Sequence, residues 1–327
     1  MKNAEQLMLE FSKNTGLSSD KPPRRYLWTD AFAVCNFIQL FKNTEDETYK
    51  QLAIDLVDQV HSTLGKHRKD DREGRTGWLS NPEHPTKKGL RIGKTLPERK
   101  KGESINHTLE WERDGQYFHY LTKWMIALAH MGEFLNEDKY QLWAVDLLEA
   151  SLSFIHGDRM YWKMSIDLSR PLINSMGQHD PLDGYVTYKL VNRHTEKDLV
   201  EHIKRMSTLM QSIRLPTTDP LGIGGLLVDA YYLHQMKEDT DLVSQIIKAA
   251  DYGLQLFNPL NHTLAFRELG LAIGLEAAKK MVKLPAYWPI ETGIIDFWLN
   301  HQDWKEHVEI NQVMLATSLI PDEFLKV

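Results

Sequence analysis

The chain has 327 residues, 42% of them hydrophobic and 26% charged, a composition ordinary for a soluble globular protein and long enough to bury a substantial core. A formal net charge of −6 argues against general nucleic-acid binding. The one cysteine, Cys35, excludes an internal disulfide framework and fits a reducing compartment.

The opening run MKNAEQLMLEFSKNTGL lacks the uninterrupted apolar core of a secretory signal, so a cytoplasmic protein is expected. Its stretch near 4–13 reads as an outer, amphipathic helix. Tyr26-Leu27-Trp28-Thr29-Asp30 then precedes AFAVCNFIQLF, a broadly apolar helix near 30–41 in which Cys35 reads as a buried thiol. An amphipathic helix near 48–64 follows. Residues 66–112 break the pattern. They are rich in Gly, Pro and charge, with twelve Lys/Arg against eight Asp/Glu, a local net of +4 that leaves about −10 for the rest. A loop this long inside a compact domain is usually functional or disordered, and Trp78 and Trp111 argue against simple disorder. It is expected to be a lid or wall of a site, with Trp78 and Arg91 facing the ligand.

Trp111-Glu112-Arg113-Asp114 leads into an apolar helix read as spanning 114–134, with Tyr117, Leu121, Trp124, Leu128 and Met131 on one stripe. A narrower stripe of Leu142, Val145, Leu148, Leu152 and Ile155 marks an outer helix near 138–156. His179-Asp180-Pro181-Leu182-Asp183-Gly184-Tyr185 opens the next inner stretch, near 182–190. Thr218-Asp219-Pro220-Leu221-Gly222 opens that near 221–236, Arg267-Glu268 lies in that near 265–280, and a last one covers 308–319. Amphipathic stretches near 196–213, 241–257 and 286–300 alternate with these. The later inner starts, 222, 265 and 308, recur every 43 residues or so, a repeat-like spacing. The most apolar segment, LGIGGLLVDAYYL, is short and holds Asp229, so no membrane span is expected.

This is an all-α reading of six inner and six outer helices in one domain, 1–327, with an insertion at about 66–112. Acidic residues cap helix N-termini. If alternate helices form one ring, their starts meet at one end and build a pocket of carboxylates and aromatics. The pattern resembles the six-hairpin, (α/α)6-toroid superfamily of glycoside hydrolases, unsaturated-uronide hydrolases and N-acylglucosamine 2-epimerases. Within it, the block GWLS, HPT, GLRIGK, LPER and LEWERDGQYFHYLTKW looks like an uncharacterised bacterial branch. The resemblance implies an (α/α)6 toroid and carbohydrate chemistry.

Glycoside hydrolysis needs one protonated carboxyl and one carboxylate. Asp30, Glu112, Asp114, Asp180, Asp183, Asp219 and Glu268 stand at inner helix starts, where each could equally be a cap. Glu112 or Asp114 as acid and Asp183 as base form the expected catalytic pair, with Asp30 as a further candidate. The aromatics Trp111 and Tyr185 beside them could supply desolvation. Trp28, Trp78, Trp111, Tyr117 and Tyr185 could stack on sugar rings. Arg91, Lys94, Arg99, Arg113 and Arg267 suit a uronic acid or sugar phosphate, or internal salt bridges to the many nearby acids. His119 and His179 could carry protons in an epimerase or isomerase. A non-catalytic toroid that binds a sugar or a protein partner is the third reading. The sequence sets neither substrate identity nor oligomeric state.

No cofactor or metal is expected. Gly89-Leu90-Arg91-Ile92-Gly93-Lys94-Thr95 has one residue too few between its glycines for a phosphate-binding P-loop. There is no dinucleotide fingerprint, no HExxH motif and no thiolate cluster.

Overall fold

The computed structural model describes residues 3–258, 262–281 and 285–327. Its helices are α1 (Ala4–Asn14), α2 (Leu27–Thr44), α3 (Glu47–Leu64), the short α4 (His107–Glu112), α5 (Phe118–Leu135), α6 (Asp138–Ser151), α7 (Asp180–Arg193), α8 (Val200–Met210), α9 (Pro220–Met236), α10 (Thr240–Leu256), α11 (Ala265–Met281), α12 (Trp288–Asn300) and α13 (Val308–Leu319). Helices α2, α5, α7, α9, α11 and α13 pack side to side in that order, and α13 returns onto α2. Helices α3, α6, α8, α10, α12 and α1 cover them from outside. This is an (α/α)6 toroid.

Burial separates the two layers as the sequence pattern requires. Every residue of α2 from Leu27 to Leu40 is buried, whereas α10 buries a stripe that includes Val243, Ile246, Ala250 and Leu254. A helix apolar on all sides belongs between neighbours, and one with a single apolar stripe belongs on the outside. Between α9 and α11 the small residues matter. A Cβ on Gly224 would lie 2.1 Å from the Gly270 carbonyl oxygen, so the two backbones approach through glycine.

The connections are asymmetric. At one end, inner helices α2, α5 and α9 turn into outer ones within a few residues, through Glu45, Asn136 and Lys237 in the left-handed region. At the other end lie the long connections, including 65–117 and 152–179. Long loops on a rigid scaffold are where binding and catalysis concentrate. The second of them carries most of the small amount of strand. Strands β1 (Gln116–Tyr117), β4 (Lys163–Met164) and β5 (Pro171–Ile173) form an antiparallel sheet, and β2 (Ile155–His156) pairs with β3 (Arg159–Met160). The C-terminal segment closes the short-loop end. Phe324 stacks on Phe32 at 4.4 Å, and the Tyr232 hydroxyl donates to the Phe324 carbonyl. Among the described residues no helix is long and apolar enough to cross a membrane. Cys35 is buried in α2, and burial pushes its thiol well up.

One expected boundary is wrong. The helix read as beginning at Asp114 begins at Phe118. Gly115, at φ +152°, breaks the chain there, and Gln116–Tyr117 leave as a strand paired with Lys163–Met164. Glu112 and Asp114 are therefore not at the mouth of α5.

Candidate active site

The inner helices enclose a cavity of about 340 Å³ at their N-terminal ends. Helix α5 presents His119 and Lys123 one turn apart, α7 presents Asp180 and Asp183, and α9 presents Asp229. Spacings of three and four residues put each pair on one helix face. Trp28 from α2, Trp162 from the turn between β3 and β4, His179 and Asp219 line the same space. Phe32, Ile273, Met314 and Phe324 also line it as an apolar boundary. Glycines 224, 225 and 270 leave room where side chains would otherwise project.

The two carboxyls of α7 stand in opposite surroundings. Asp183 receives a hydrogen bond from the Thr122 hydroxyl and an ion pair from Lys123. Asp180 is 6% exposed, and its Oδ2 has no hydrogen-bond partner. Its Oδ1 stands 3.8 Å from Nδ1 of His119, a nitrogen that also lacks a hydrogen-bond partner. Burial, and then the charge of Asp183, push Asp180 up to about 7. Asp229 is driven well above the usual carboxylate range by burial and by Asp183. Burial opposes the charge of Lys123, but Asp183, Asp229 and Asp180 outweigh it and raise its pKa. Burial lowers His119 to about 4 and also lowers His179, whose Nε2 donates to the Leu215 carbonyl at 2.8 Å. The cavity thus holds a neutral imidazole from α5 and, one turn apart on α7, a carboxyl poised near neutrality and an ion-paired carboxylate.

Of the residues expected from sequence, the structure brings Asp180, Asp183, His119, His179, Trp28 and Asp219 to this cavity. Asp219 also keeps its capping role, accepting from Gly222 N at 3.0 Å, and it pairs with Arg267 at 2.6 Å. Tyr117 is buried behind the wall, stacked on Trp162 at 4.7 Å, and Trp111 meets the same indole edge-on at 4.9 Å.

The remaining expected residues lie elsewhere. Asp114 is fully buried in the loop, bonded to Arg91, Arg68 and the Gly93 backbone N–H. Arg91 also donates to the carbonyls of Lys66 and Thr63, so each of its guanidinium nitrogens is engaged, and it lines a separate, larger cavity rather than the central one. Glu112 is exposed at the end of α4 and lines the same larger cavity. Asp30 lines that larger cavity too. It accepts from Tyr26 N at 2.9 Å, and burial raises it to about 6 against the opposing charge of Arg25. Trp78 packs under the ammonium of Lys66 at 4.4 Å. Arg113 pairs with Glu103 at 2.7 Å, and Arg99 with Glu110 at 3.6 Å. Tyr185 bonds Asp239 at 2.9 Å. Glu268 is saturated by His262, Thr263 N and Trp298. In each case but that of the exposed Glu112 a neighbouring group engages the side chain. The 66–112 loop does line a cavity, the larger one, but none of its residues lines the central one.

Lys123, Asp229 and Trp162 were not singled out in the sequence as site residues. Lys123 and Asp229 are isolated charges inside otherwise apolar inner helices, which is the signal that could have found them. Trp162 sits among short strands that no periodicity marks. Among the described residues no group of three or more His, Cys, Asp or Glu side chains could hold a metal ion.

No protein-family model matches the chain, and no curated protein matches it in sequence. Solved structures do match over its full length. A GH76 α-mannanase of Bacteroides thetaiotaomicron is 10% identical, with a TM-score of 0.65 over 99% of this chain and 97% of its own. An inactive variant of the α-1,6-mannanase of Salegentibacter sp., with two consecutive aspartates replaced by asparagine, is bound to α-1,6-mannotriose. It is 12% identical, with a TM-score of 0.60 over 99% and 98%. A cellobiose 2-epimerase of Spirochaeta thermophila is 12% identical, with a TM-score of 0.57 over 99% and 98%. The chain shares the six-hairpin, (α/α)6-toroid fold of these enzymes.

Proposed function

We propose that the protein is a glycoside hydrolase acting on a neutral sugar, with Asp180 as proton donor and Asp183 as nucleophile. The observation that carries this is the division of labour on α7. One carboxyl is bonded by Thr122 and paired with Lys123, and its neighbour one turn away has a buried oxygen with no hydrogen-bond partner and is pushed up to about 7. Asp180 gives its proton to the glycosidic oxygen as the C–O bond breaks, and Asp183 bonds to the anomeric carbon. Water, losing its proton to Asp180, then displaces Asp183. Side chains three apart on a helix have Cβ atoms about 5–6 Å apart, which suits the roughly 5–5.5 Å carboxyl spacing of retaining enzymes. Trp28 and Trp162 offer faces for the sugar ring. A neutral sugar is favoured because the one lysine in the cavity is already paired with Asp183. The mannanase inactivated at two neighbouring aspartates supports the reading, although its pair is consecutive and this one is three apart.

A second reading rests on His119. Its unpartnered, neutral imidazole beside Asp180, with His179 in the same cavity, could move a proton at a sugar carbon. The two readings part in one experiment. The protein is incubated in deuterated water with α-1,6-mannotriose, other α- and β-linked neutral oligosaccharides, and an unsaturated uronide as the anionic control. Hydrolysis predicts new reducing ends, lost in Asp180→Asn and Asp183→Asn. Epimerisation predicts deuterium at a sugar carbon, lost in His119→Gln. No product of either kind from a folded protein would sink both.

A further inference from the structure

The larger cavity, of about 1000 Å³, lies at the same end of the ring. The start of α2, the start of α13, the end of α3 and the 66–95 part of the long loop enclose it. A line of ring contacts separates it from the central one. Tyr26 lines the larger cavity and its hydroxyl meets that of Tyr120 at 2.5 Å, while Tyr120 packs on His119 at 4.8 Å.

Most of its charges are spent on one another. Arg25 pairs with Asp30, Arg24 with Glu309, and Arg68 with Asp70 and Asp114. Three lysines are not. Among the described residues, Lys66, Lys69 and Lys94 line the cavity without an ion pair, and the Lys94 ammonium stands over the Tyr26 ring at 5.5 Å. Burial lowers Lys94, as expected where an ammonium is desolvated and nearby acids compensate only in part. The wall also holds a polar atom that nothing satisfies. Oγ1 of Thr29 has no hydrogen-bond partner, on a residue only 2% exposed. Buried donors are ordinarily paired, so this hydroxyl is a group that a ligand would complete. Apolar Phe11, Pro22 and Pro23 and the Tyr26 ring supply the rest of the surface.

We propose that this cavity is a second binding site, for a small anionic sugar. Its acid group meets Lys94 and its neighbours, its ring lies against Tyr26, and a hydroxyl satisfies Thr29. The site is chemically distinct from the central cavity, where the cation is neutralised and carboxyls are in excess. The expected lid therefore serves a ligand of its own.

The test is calorimetric titration of the full chain with glucuronate, glucose 6-phosphate, neutral glucose and inorganic phosphate. The two sugar anions bind, and at least one saturates below the concentration at which glucose or inorganic phosphate shows heat. Lys94→Met, which keeps the stem on Tyr26, weakens that binding about tenfold, the size of one charge-assisted hydrogen bond. Thr29→Val weakens it less, and both variants melt within a few degrees of the parent. Asp183→Asn leaves it unchanged, which separates this site from the central one whatever the fate of the hydrolase reading. Absence of binding by either sugar anion, equal affinity in Lys94→Met, inorganic phosphate binding as tightly as the sugars, or loss of binding in Asp183→Asn would each overturn the proposal.

Discussion

The buried acids of the inner helices and of the loops that lead into them look alike in sequence and meet two fates in the ring. On the α7–α9 side, Asp180 and Asp229 have no cation of their own and share Lys123 with Asp183. On the side where the long loop and residues 262–263 pack, Asp114 and Glu268 are consumed. Asp114 holds two guanidiniums and three backbone N–H groups, and Glu268 binds two side chains and a backbone N–H. The difference is the company the acid keeps rather than its position on the helix. Where loops bring Arg, His, Trp or N–H donors, an acid becomes part of the framework, and where they do not, burial turns it into a titratable tool.

Deleting one acid of each kind should separate the two fates. Asp114→Ala strands Arg91 and Arg68 partly or wholly out of water, and a loss of about 3–5 kcal/mol of unfolding free energy is expected in urea titrations. A loss below about 1 kcal/mol would show that Asp114 is not structural.

Asp180→Asn should act in the opposite direction, with a pH signature. Asp180 is raised from 3.8 to about 7, so the folded state holds a proton that the unfolded chain releases. For this group stability is greatest below pH 3.8, falls as the pH rises and levels off above about 7, a total on the order of a few kcal/mol. Asp180→Asn removes that term, so its stability relative to the parent should climb between pH 4 and 7. A pH-independent difference would contradict the assignment.

Lys123→Met should lower kcat about a hundredfold and also lower the melting temperature at neutral pH, because it releases Asp183 and leaves three neighbouring buried carboxyls without a cation. It should also move the alkaline limb of the rate profile, set by Asp180, to higher pH. The smallest effect is expected at the rim. Trp162→Ala should raise KM about tenfold and leave kcat nearly unchanged, and an equal fall in kcat and kcat/KM would mean the indole acts only in the transition state.

The toroid was legible in the sequence because two strong signals agree. Inner helices are apolar on every side and outer ones carry a single stripe, and the last three units recur at nearly constant spacing. Asp183, His119 and Trp28 were legible for the same reason, since they lie in the first turns of well-marked inner helices. The expected partner of Asp183 was misplaced by one boundary. Reading α5 from Asp114 ignored Gly115, whose φ of +152° ends the loop and lets Gln116–Tyr117 pair as a strand. Lys123 and Asp229 were hidden because a lone charge in an apolar run gives no hint of its partner, which here comes from another hairpin. Arg91, Arg99 and Arg113 offered two readings in sequence, ligand contact or internal pairing, and only the packed loop decides for pairing.

In the proposed pair Asp180 is the poised carboxyl and Asp183 the one paired with Lys123. Carbon-13 NMR of the protein labelled at aspartate carboxyls, titrated from pH 4 to 9, tests it without any substrate. A resonance with a midpoint near 7 should vanish in Asp180→Asn. In Asp183→Asn it should shift to lower pH, because the neighbouring charge is gone and Lys123 is released toward Asp180. A midpoint near 7 that survives Asp180→Asn, or no aspartate titrating near neutrality, would contradict the account.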